Sequence, residues 1–155
     1  RIEQTLGSHT MENISKPMSL DHRHCDEIFM ELEQAVVRGE WHKTEMMAGN
    51  FITAMTRHFQ IEEQKLFPAL EEKTSQANGP VRVMVMEHDQ MRHLFNKLND
   101  AIGQQSKETA LGITETLLVT MQQHNMKEEN ILYPLADRFV SNLAEEIAQS
   151  FTESA

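Results

Sequence analysis

The chain has 155 residues and one cysteine, which is long enough for a single domain with its own core and leaves Cys25 without an internal disulfide partner. Its formal charge of −10 argues against nucleic acid and against anionic membrane surfaces, because both attract basic proteins. No apolar run approaches the roughly 20 residues of a membrane-spanning helix, and the sequence shows no secretory signal. Together these features predict a cytoplasmic protein.

Residues 1–10 differ in character from the rest of the chain and include the tripeptide GSH, which is typical of the remnant of an expression tag. We therefore expect the natural sequence to begin at Met11, and we leave His9 out of the search for functional residues. A single domain is predicted for residues 11–155, with a helical bundle at about residues 19–139.

Strong helical periodicity, without strand-like alternation, predicts an all-α chain. Four helices are expected, from near Ser19 to before Gly39, from His42 to Lys73, from Pro80 to Gly103 and from Ser106 to Arg138. A short C-terminal helix is expected at residues 142–151. Helices of this length with short connections are typical of an up-down-up-down four-helix bundle. Pro68 and Pro134 lie late in the second and fourth helices, where each should kink or end its helix.

An internal repeat relates the two halves of the chain. The segment HFQIEEQKLFP, which begins at His58, recurs 66 residues later as HNMKEENILYP, which begins at His124. The same offset relates DHRHCDEIFMELEQA, which contains His22, to EHDQMRHLFNKLNDA, which contains His88. The bundle is therefore predicted to consist of two copies of one helical hairpin. Each copy has a histidine on its first helix and an H-x-x-x-E motif on its second.

Six polar residues of the repeat fall on the apolar faces of their helices: His22, His58, Glu62, His88, His124 and Glu128. Any one of these histidines alone would more often be an ordinary core or surface residue. A duplicated bundle without chemistry explains matched leucines, but it does not explain matched histidines and glutamates that face the core. Burying them without a partner is unfavourable, and a pair of metal ions would satisfy all six. Imidazole and carboxylate ligands suit iron, zinc, manganese or copper, whereas structural zinc sites more often use cysteine.

The chain resembles the hemerythrin-like, or HHE cation-binding, family. The segments DHRHCDEIF, HFQIEEQKLFP, MEHDQMRHLF and HNMKEENILYP carry the resemblance, which extends from about residue 20 to residue 139. Members of this family are four-helix bundles that hold a non-haem di-iron centre. The resemblance implies two iron ions joined by an oxo or hydroxo bridge, with zinc or manganese as substitutes. It also implies that the terminal ligands are His22, His58, His88 and His124. The implied bridging ligands are the carboxylates of Glu62 and Glu128.

Two positions depart from the pattern of the oxygen-carrying members of that family. The carriers have H-x-x-x-H on the third helix, whereas here Arg92 stands four residues after His88. The carriers place their second bridging carboxylate five residues after the last histidine, whereas the internal repeat here favours Glu128 over Glu129. We expect Glu63 and Glu129 either to be solvated or to contact a metal-binding residue without binding the metal themselves. The site resembles those of hemerythrin-like proteins tied to iron handling, nitric oxide or redox stress.

Several neighbours of these residues have open roles. His24 is a weaker alternative to His22 as a ligand and is otherwise expected at the surface, as is His93. His42 has no repeat partner that could bind metal. Asp21 and Glu87 directly precede the first and third site histidines and could accept hydrogen bonds from other imidazoles.

The matched residues Asp26 and Arg92 could form an ion pair over the mouth of the site or remain two separate charges. Cys25 is expected to be a small buried residue rather than a redox sensor. Tyr133 could reach the metal region, but its match to Phe67 indicates that the ring is the shared requirement.

Three functions are consistent with this sequence. The first is a metal-binding protein that binds or responds to a small diatomic, dioxygen or nitric oxide, or to peroxide. The second is a di-iron enzyme of peroxide or nitric oxide detoxification or of iron-centre repair, with Tyr133 or Cys25 as redox helpers. The third is iron storage or a structural metal site. No catalytic residue is assigned, and the tail after Phe139 is a candidate surface for a homodimer.

Overall fold

The computed structural model describes residues 13–153, so the expected tag remnant at residues 1–10 and the expected start at Met11 lie outside the described residues. The helices are α1 at Ser15–Val37, α2 at residues 41–73, α3 at Asn78–Gly103, α4 at residues 107–139 and α5 at Ala144–Glu153. Short 3₁₀ turns at Ser75–Ala77 and Ser141–Leu143 precede α3 and α5. Residues 13–153 contain no strand, which confirms the all-α prediction.

Helices α1 to α4 form the predicted up-down-up-down bundle. Each helix packs against the next one in the chain, and α1 also packs against α4. The two hairpins of the repeat are therefore α1–α2 and α3–α4. The predicted limits of α2, α3 and α4 agree with the structure to within two residues at each end. Within the described part of the chain, no helix is both long and apolar enough to cross a membrane.

The start of α1 is the largest error in the predicted boundaries. The helix begins at Ser15 rather than near Ser19. The side chain of Asn13 accepts a hydrogen bond from the backbone N–H of Lys16 at 2.8 Å, as an N-cap does. The carboxylate of Asp137, at the far end of α4, accepts from the backbone N–H groups of Ile14 and Ser15 at 2.6 and 3.1 Å. This second cap comes from 122 residues away, so no local pattern indicates it.

Helices α2 and α4 each contain a π-helical turn at the same place in the repeat. The turns are Glu62–Leu66 and Glu128–Leu132, and α-helix continues after each one, at Phe67–Lys73 and Tyr133–Phe139. Pro68 and Pro134 follow these turns. Of the two expected outcomes, a kink or an end of the helix, the end does not occur at either proline. A π-helical turn changes the hydrogen-bond register by one residue, which accommodates the proline ring and its missing N–H.

The core consists of two clusters of buried apolar residues, separated along the bundle by a layer of polar residues. The first cluster is built around the packed rings of Phe29, Phe51 and Phe95. The second includes Leu66 and Leu132. Helices α1 to α4 all contribute to both clusters. The residues between the clusters are those that the repeat singled out as polar on an apolar face.

Helix α5 folds back onto the bundle. Ala144 and Ile147 join the second cluster, and the Arg57 guanidinium donates to the backbone carbonyl of Phe151 at 2.9 Å. The apolar face of α5 is thus buried within its own chain. A homodimer through this tail would have to use the outer face of α5.

Candidate metal centre

The six residues predicted from the repeat lie together in the polar layer, and none is more than 5% exposed. Their donor atoms form two overlapping groups, and the atoms within each group lie within 4.8 Å of one another. We call the groups half-site A and half-site B. Half-site A comprises His22, His58, Glu62 and Glu128, and half-site B comprises Glu62, His88, His124 and Glu128. Each half-site takes both histidines of one copy of the repeat, and both glutamates belong to both half-sites.

The carboxylate of Glu62 faces one histidine in each half-site. Its Oε2 atom lies 3.2 Å from Nε2 of His58 in half-site A. Its Oε1 atom lies 3.0 Å from Nε2 of His88 in half-site B. One oxygen therefore serves each half-site, as a carboxylate that bridges two metal ions requires.

The carboxylate of Glu128 repeats this arrangement. Its Oε1 atom lies 2.9 Å from Nε2 of His22, and its Oε2 atom lies 3.3 Å from Nε2 of His124. The choice of Glu128 over Glu129 for the shared position therefore agrees with where the two side chains lie. Both oxygens of Glu128 point into the layer.

The outer nitrogen of each histidine, Nδ1, donates a hydrogen bond to a carboxylate at the edge of the layer. The pairs are His22–Glu129, His58–Asp21, His88–Glu63 and His124–Glu87, with distances of 2.7, 2.8, 2.7 and 2.8 Å. We call these four acceptors the outer carboxylates. Such bonds fix the tautomer and the ring orientation, and they leave Nε2 free to face the centre, as in metal-binding histidines. The expectation for the carboxylates that precede two of the histidines is confirmed.

The π-helical turns explain how Glu63 and Glu129 reach these positions. On an ideal α-helix, each would lie about 140° around the helix from the histidine five residues before it. Each is instead the second residue of a π-helical turn, in which hydrogen bonds span five residues. Two consecutive glutamates can then both face neighbouring helices. Of the two alternatives for Glu63 and Glu129, contact with a site histidine is the correct one.

The hydroxyl of Tyr133 lies inside half-site A. It donates to Oε2 of Glu62 at 2.6 Å, lies 2.8 Å from Oε1 of Glu128, and lies 3.1 Å from Nε2 of His22. The repeat-related residue is Phe67, so half-site B receives a ring without a hydroxyl. The expectation that Tyr133 could reach this region is confirmed, but its match to Phe67 indicated the ring as the shared requirement and gave the hydroxyl no role. The only sequence signal for this difference between the half-sites is that Tyr133 in one copy of the repeat corresponds to Phe67 in the other.

Half-site B meets the chemical requirement for a cation. Four of its buried polar atoms face one another as two pairs, Glu62 Oε1 with His88 Nε2 at 3.0 Å and Glu128 Oε2 with His124 Nε2 at 3.3 Å. Within residues 13–153, none of the four forms a hydrogen bond of adequate geometry. Leaving buried donors and acceptors unpaired is unfavourable, so such groups call for an explanation. These nitrogen and carboxylate oxygen atoms are the ligand types of a first-row transition metal, and such a cation fits among them.

The comparison with protein families gives one match. The family described as Hemerythrin HHE cation binding domain matches residues 13–136, which include α1 to α3 and most of α4. The chain belongs to the hemerythrin HHE cation-binding family. Neither the curated proteins nor the solved structures give a significant match. The resemblance drawn from the four motifs is confirmed, and the buried histidines and glutamates of this hemerythrin domain fit a metal site.

Arg92, which replaces the extra histidine of the carriers, covers one side of this hemerythrin domain. Its guanidinium donates to both carboxylate oxygens of Glu63, at 2.9 and 3.1 Å, and to Asp89 at 3.0 Å. It also lies over the ring of Phe59, with its central carbon 5.2 Å from the ring centre. Among the described residues it forms no ion pair with Asp26, so the two matched charges act separately.

The remaining candidates lie outside the layer. His24 and His93 are exposed, as expected, and so is His42; none of the three belongs to either half-site. Cys25 is 2% exposed, and burial raises the pKa of its thiol to about 12. A thiol that stays protonated is unreactive, so Cys25 is the buried small residue that the sequence predicted.

Neighbouring charges within the polar layer shift one another's pKa values. Burial opposes a charge on His58, but the nearby Glu62 and the hydrogen bond to Asp21 outweigh it and raise the pKa of His58 well above its usual value. Burial likewise opposes a charge on Glu128, yet the neighbouring histidines hold the pKa of Glu128 well below its usual value. Protons thus balance the carboxylates in the positions where a metal ion would do so.

The metal-free protein is expected to lose stability as the pH rises from about 6.5 to about 9. Burial opposes the charge of His124, but Glu128 raises its pKa from 6.5 to about 9. The folded state then holds more protons than the unfolded state in this window, so the free energy of unfolding falls with pH, by about 3 kcal/mol for this residue. Urea unfolding of the metal-free protein at pH 6.5, 7.5 and 9 measures the effect.

His124→Gln is the matched control, since this variant should flatten the pH dependence. A free energy of unfolding that stays constant or rises between pH 6.5 and 9 in the unsubstituted protein would contradict the prediction. Metal affinity should follow the opposite trend, because the ligands must lose their protons before they bind.

Proposed function

We propose that this chain binds two iron ions, one in each half-site, and that the pair binds or responds to a small diatomic, dioxygen or nitric oxide, or to peroxide. The observation that carries the proposal is the overlap of the half-sites. Two groups of four buried donors share both of their carboxylates, and each carboxylate presents one oxygen to each group. Two adjacent cations would neutralise both glutamates and occupy all four inward-facing nitrogens.

The donor set supports iron as the resident metal. Each half-site offers two imidazoles and two carboxylates and no thiolate, whereas structural zinc sites commonly use cysteine. Zinc and manganese accept the same donor types, so both are expected to occupy the site as substitutes. Iron would supply redox chemistry and open coordination positions next to the protein ligands. The outer carboxylates would hold the imidazole rings in place, and the two apolar clusters would limit access of water from either end.

The balance of ligands favours binding and redox response over oxygenation of a substrate. The layer contains two shared carboxylates and four histidines, whereas carboxylate-rich di-iron proteins supply four glutamates and E-x-x-H pairs. Fewer anionic donors favour the ferrous state. A single cysteine without an internal disulfide partner fits the reducing, cytoplasmic setting that we infer for this protein.

A second candidate is an enzyme of peroxide or nitric oxide detoxification. The position of Tyr133 favours it, because an oxidisable phenol lies 2.6 Å from one of the shared carboxylates. This candidate predicts continuous turnover of the small molecule, whereas a binding or sensing protein predicts a stoichiometric response.

The test is to load the purified protein with ferrous iron without oxygen, count the bound iron and then add dioxygen, nitric oxide or peroxide separately. We expect two irons per chain and a change in the optical spectrum with at least one of the three molecules. A spectral change that reverses when the gas is removed supports reversible binding, and continuous consumption supports the enzyme. Two irons without any spectral response would leave storage as the function. Fewer than two irons per chain would contradict the proposal.

A further inference from the structure

The four outer carboxylates are covered unequally. Three of them pair with a Lys or Arg side chain: Asp21 with Arg57, Glu63 with Arg92 and Glu87 with Lys127. The fourth, Glu129, forms its ion pair with His22, and among the described residues it has no Lys or Arg within 4.0 Å. Its side chain is 40% exposed, compared with 24% for the repeat-related Glu63. The edge of the polar layer is therefore least covered at Glu129.

A surface groove lies at this edge, between α1 and α4. Its volume is about 450 Å³, room for several waters or a hydrated cation, since a water occupies about 30 Å³ in the liquid. The groove is lined mainly by polar side chains, which include His22, Asp26, Gln122, Asn125, Glu129 and Asn130. Arg23 also borders it, so the fixed charges around it are two carboxylates and one guanidinium.

His22 connects the groove to the buried layer. It is both a lining residue of the groove and a member of half-site A. It is 5% exposed, whereas the repeat-related His88 is fully buried. Its Nε2 atom lies 2.9 Å from Oε1 of Glu128, and the other oxygen of that carboxylate, Oε2, is one of the buried atoms of half-site B that form no hydrogen bond. The groove is thus a surface approach that ends at the candidate metal centre.

The repeat supplies an internal comparison for this groove. Asp26 on α1 corresponds to Arg92 on α3, so the charge is reversed at equivalent positions. On the α2–α3 side, Arg92 holds both oxygens of Glu63 and closes over the outer carboxylate. On the α1–α4 side, the exposed Asp26 repels Glu129 rather than pairing with it. One side of the duplicated bundle therefore has a basic cover, and the other has an open acidic groove.

We propose that the groove between Asp26 and Glu129 is the port through which divalent metal ions enter, and that Arg92 closes the equivalent passage on the opposite side. The inference rests on the proposed metal function and adds its route of loading. Two carboxylates at the mouth raise the local concentration of divalent cations, and such steering raises association rates by about 10- to 1,000-fold. Asp26 acts at the mouth without being a ligand, so it is a positioning residue for entry.

The test is the rate of Co²⁺ uptake by the metal-free protein, followed by stopped-flow absorbance at low ionic strength. Asp26→Arg places at the port the residue type that covers the other side, and we expect it to slow uptake by at least about tenfold. Asp26→Asn should slow uptake by a smaller factor. Added salt screens exposed charges, so it should reduce the difference in uptake rate between Asp26→Asn and the unsubstituted protein. Arg92→Asp is the matched control, and it should load at least as fast as the unsubstituted protein.

The end point of each reaction separates the two proposals. All variants should bind two Co²⁺ ions per chain at equilibrium, since none of the substitutions removes a ligand. Uptake by Asp26→Arg at the unsubstituted rate, or a slowing by Arg92→Asp as large as that by Asp26→Arg, would overturn the port while leaving the metal site intact. Failure of the unsubstituted protein to bind Co²⁺ would overturn the metal function and the port with it. Asp26 is exposed, and a thermal unfolding curve for each variant verifies that the bundle is folded.

Discussion

Replacing His58 with alanine is expected to reduce the bound iron from two ions per chain to one. His58 belongs to half-site A alone, so the donors of half-site B remain. Loss of residues that only support a ligand lowers metal affinity by about 10- to 100-fold, so loss of a ligand should exceed about 100-fold. Elemental analysis after loading and dialysis, together with a competition titration, measures both the number of ions and the affinity.

His24→Ala is the control for this experiment, because His24 is an exposed histidine outside both half-sites. It should retain two ions. His124→Ala should lose one ion as His58→Ala does, and the variant with both substitutions should lose both. Retention of two ions by the His58 and His124 variants would exclude these residues as ligands, provided that both variants unfold cooperatively.

Replacing Tyr133 with phenylalanine is expected to destabilise the metal-free protein by about 1–3 kcal/mol, the usual result of leaving buried polar groups without a donor. The Tyr133 hydroxyl contacts buried carboxylate oxygens of Glu62 and Glu128. Metal ions would satisfy the same oxygens, so the loss of stability should be smaller in the loaded protein. Urea unfolding with and without bound metal measures the difference.

Linkage between these two states gives a second readout. If Tyr133→Phe destabilises the metal-free form more than the loaded form, the free energy of metal binding must become more favourable by the difference between the two losses of stability. A difference of about 1–3 kcal/mol corresponds to a metal affinity that is higher by a factor of about 5 to 150. Equal destabilisation of both forms, or a lower metal affinity in the variant, would contradict this prediction. The latter result would mean that the phenol contributes to the loaded site.

The fold was predictable because its signals are long and local. Helical periodicity over more than 20 residues and short breaks gave all four helices of the bundle. Only the start of α1 was misplaced by more than two residues. There a carboxylate from the far end of α4 completes the cap, and sequence periodicity does not report such a contact. The π-helical turns before the two prolines were not predicted, because a change of the hydrogen-bond register by one residue does not alter the periodicity of apolar residues in a recognisable way.

The six inner residues of the candidate site could be proposed from the sequence because the duplication presents each of them twice, and their clustering in one layer agrees with that proposal. His58 and Glu62 carry little information alone, but their recurrence as His124 and Glu128 on an apolar face does. Several residues around the polar layer differ between the two copies of the repeat, so the repeat did not predict their contacts. Tyr133 differs from its counterpart by one hydroxyl, and that atom contacts both shared carboxylates. The contacts of this hydroxyl depend on the orientation of the Tyr133 ring, and the spacing of residues along the sequence does not determine that orientation.

The two apolar clusters have a consequence for how this architecture could have arisen. Each cluster draws residues from both hairpins, so a lone hairpin would have no complete core at either end. It would also contain only three of the four donors of half-site A, namely His22, His58 and Glu62. Two identical hairpins related by a twofold axis would complete both cores and both half-sites at once. The present chain thus has the organisation of such a two-subunit assembly with its subunits covalently joined. A joined chain can carry different residues at matched positions, as it does with Asp26 and Arg92.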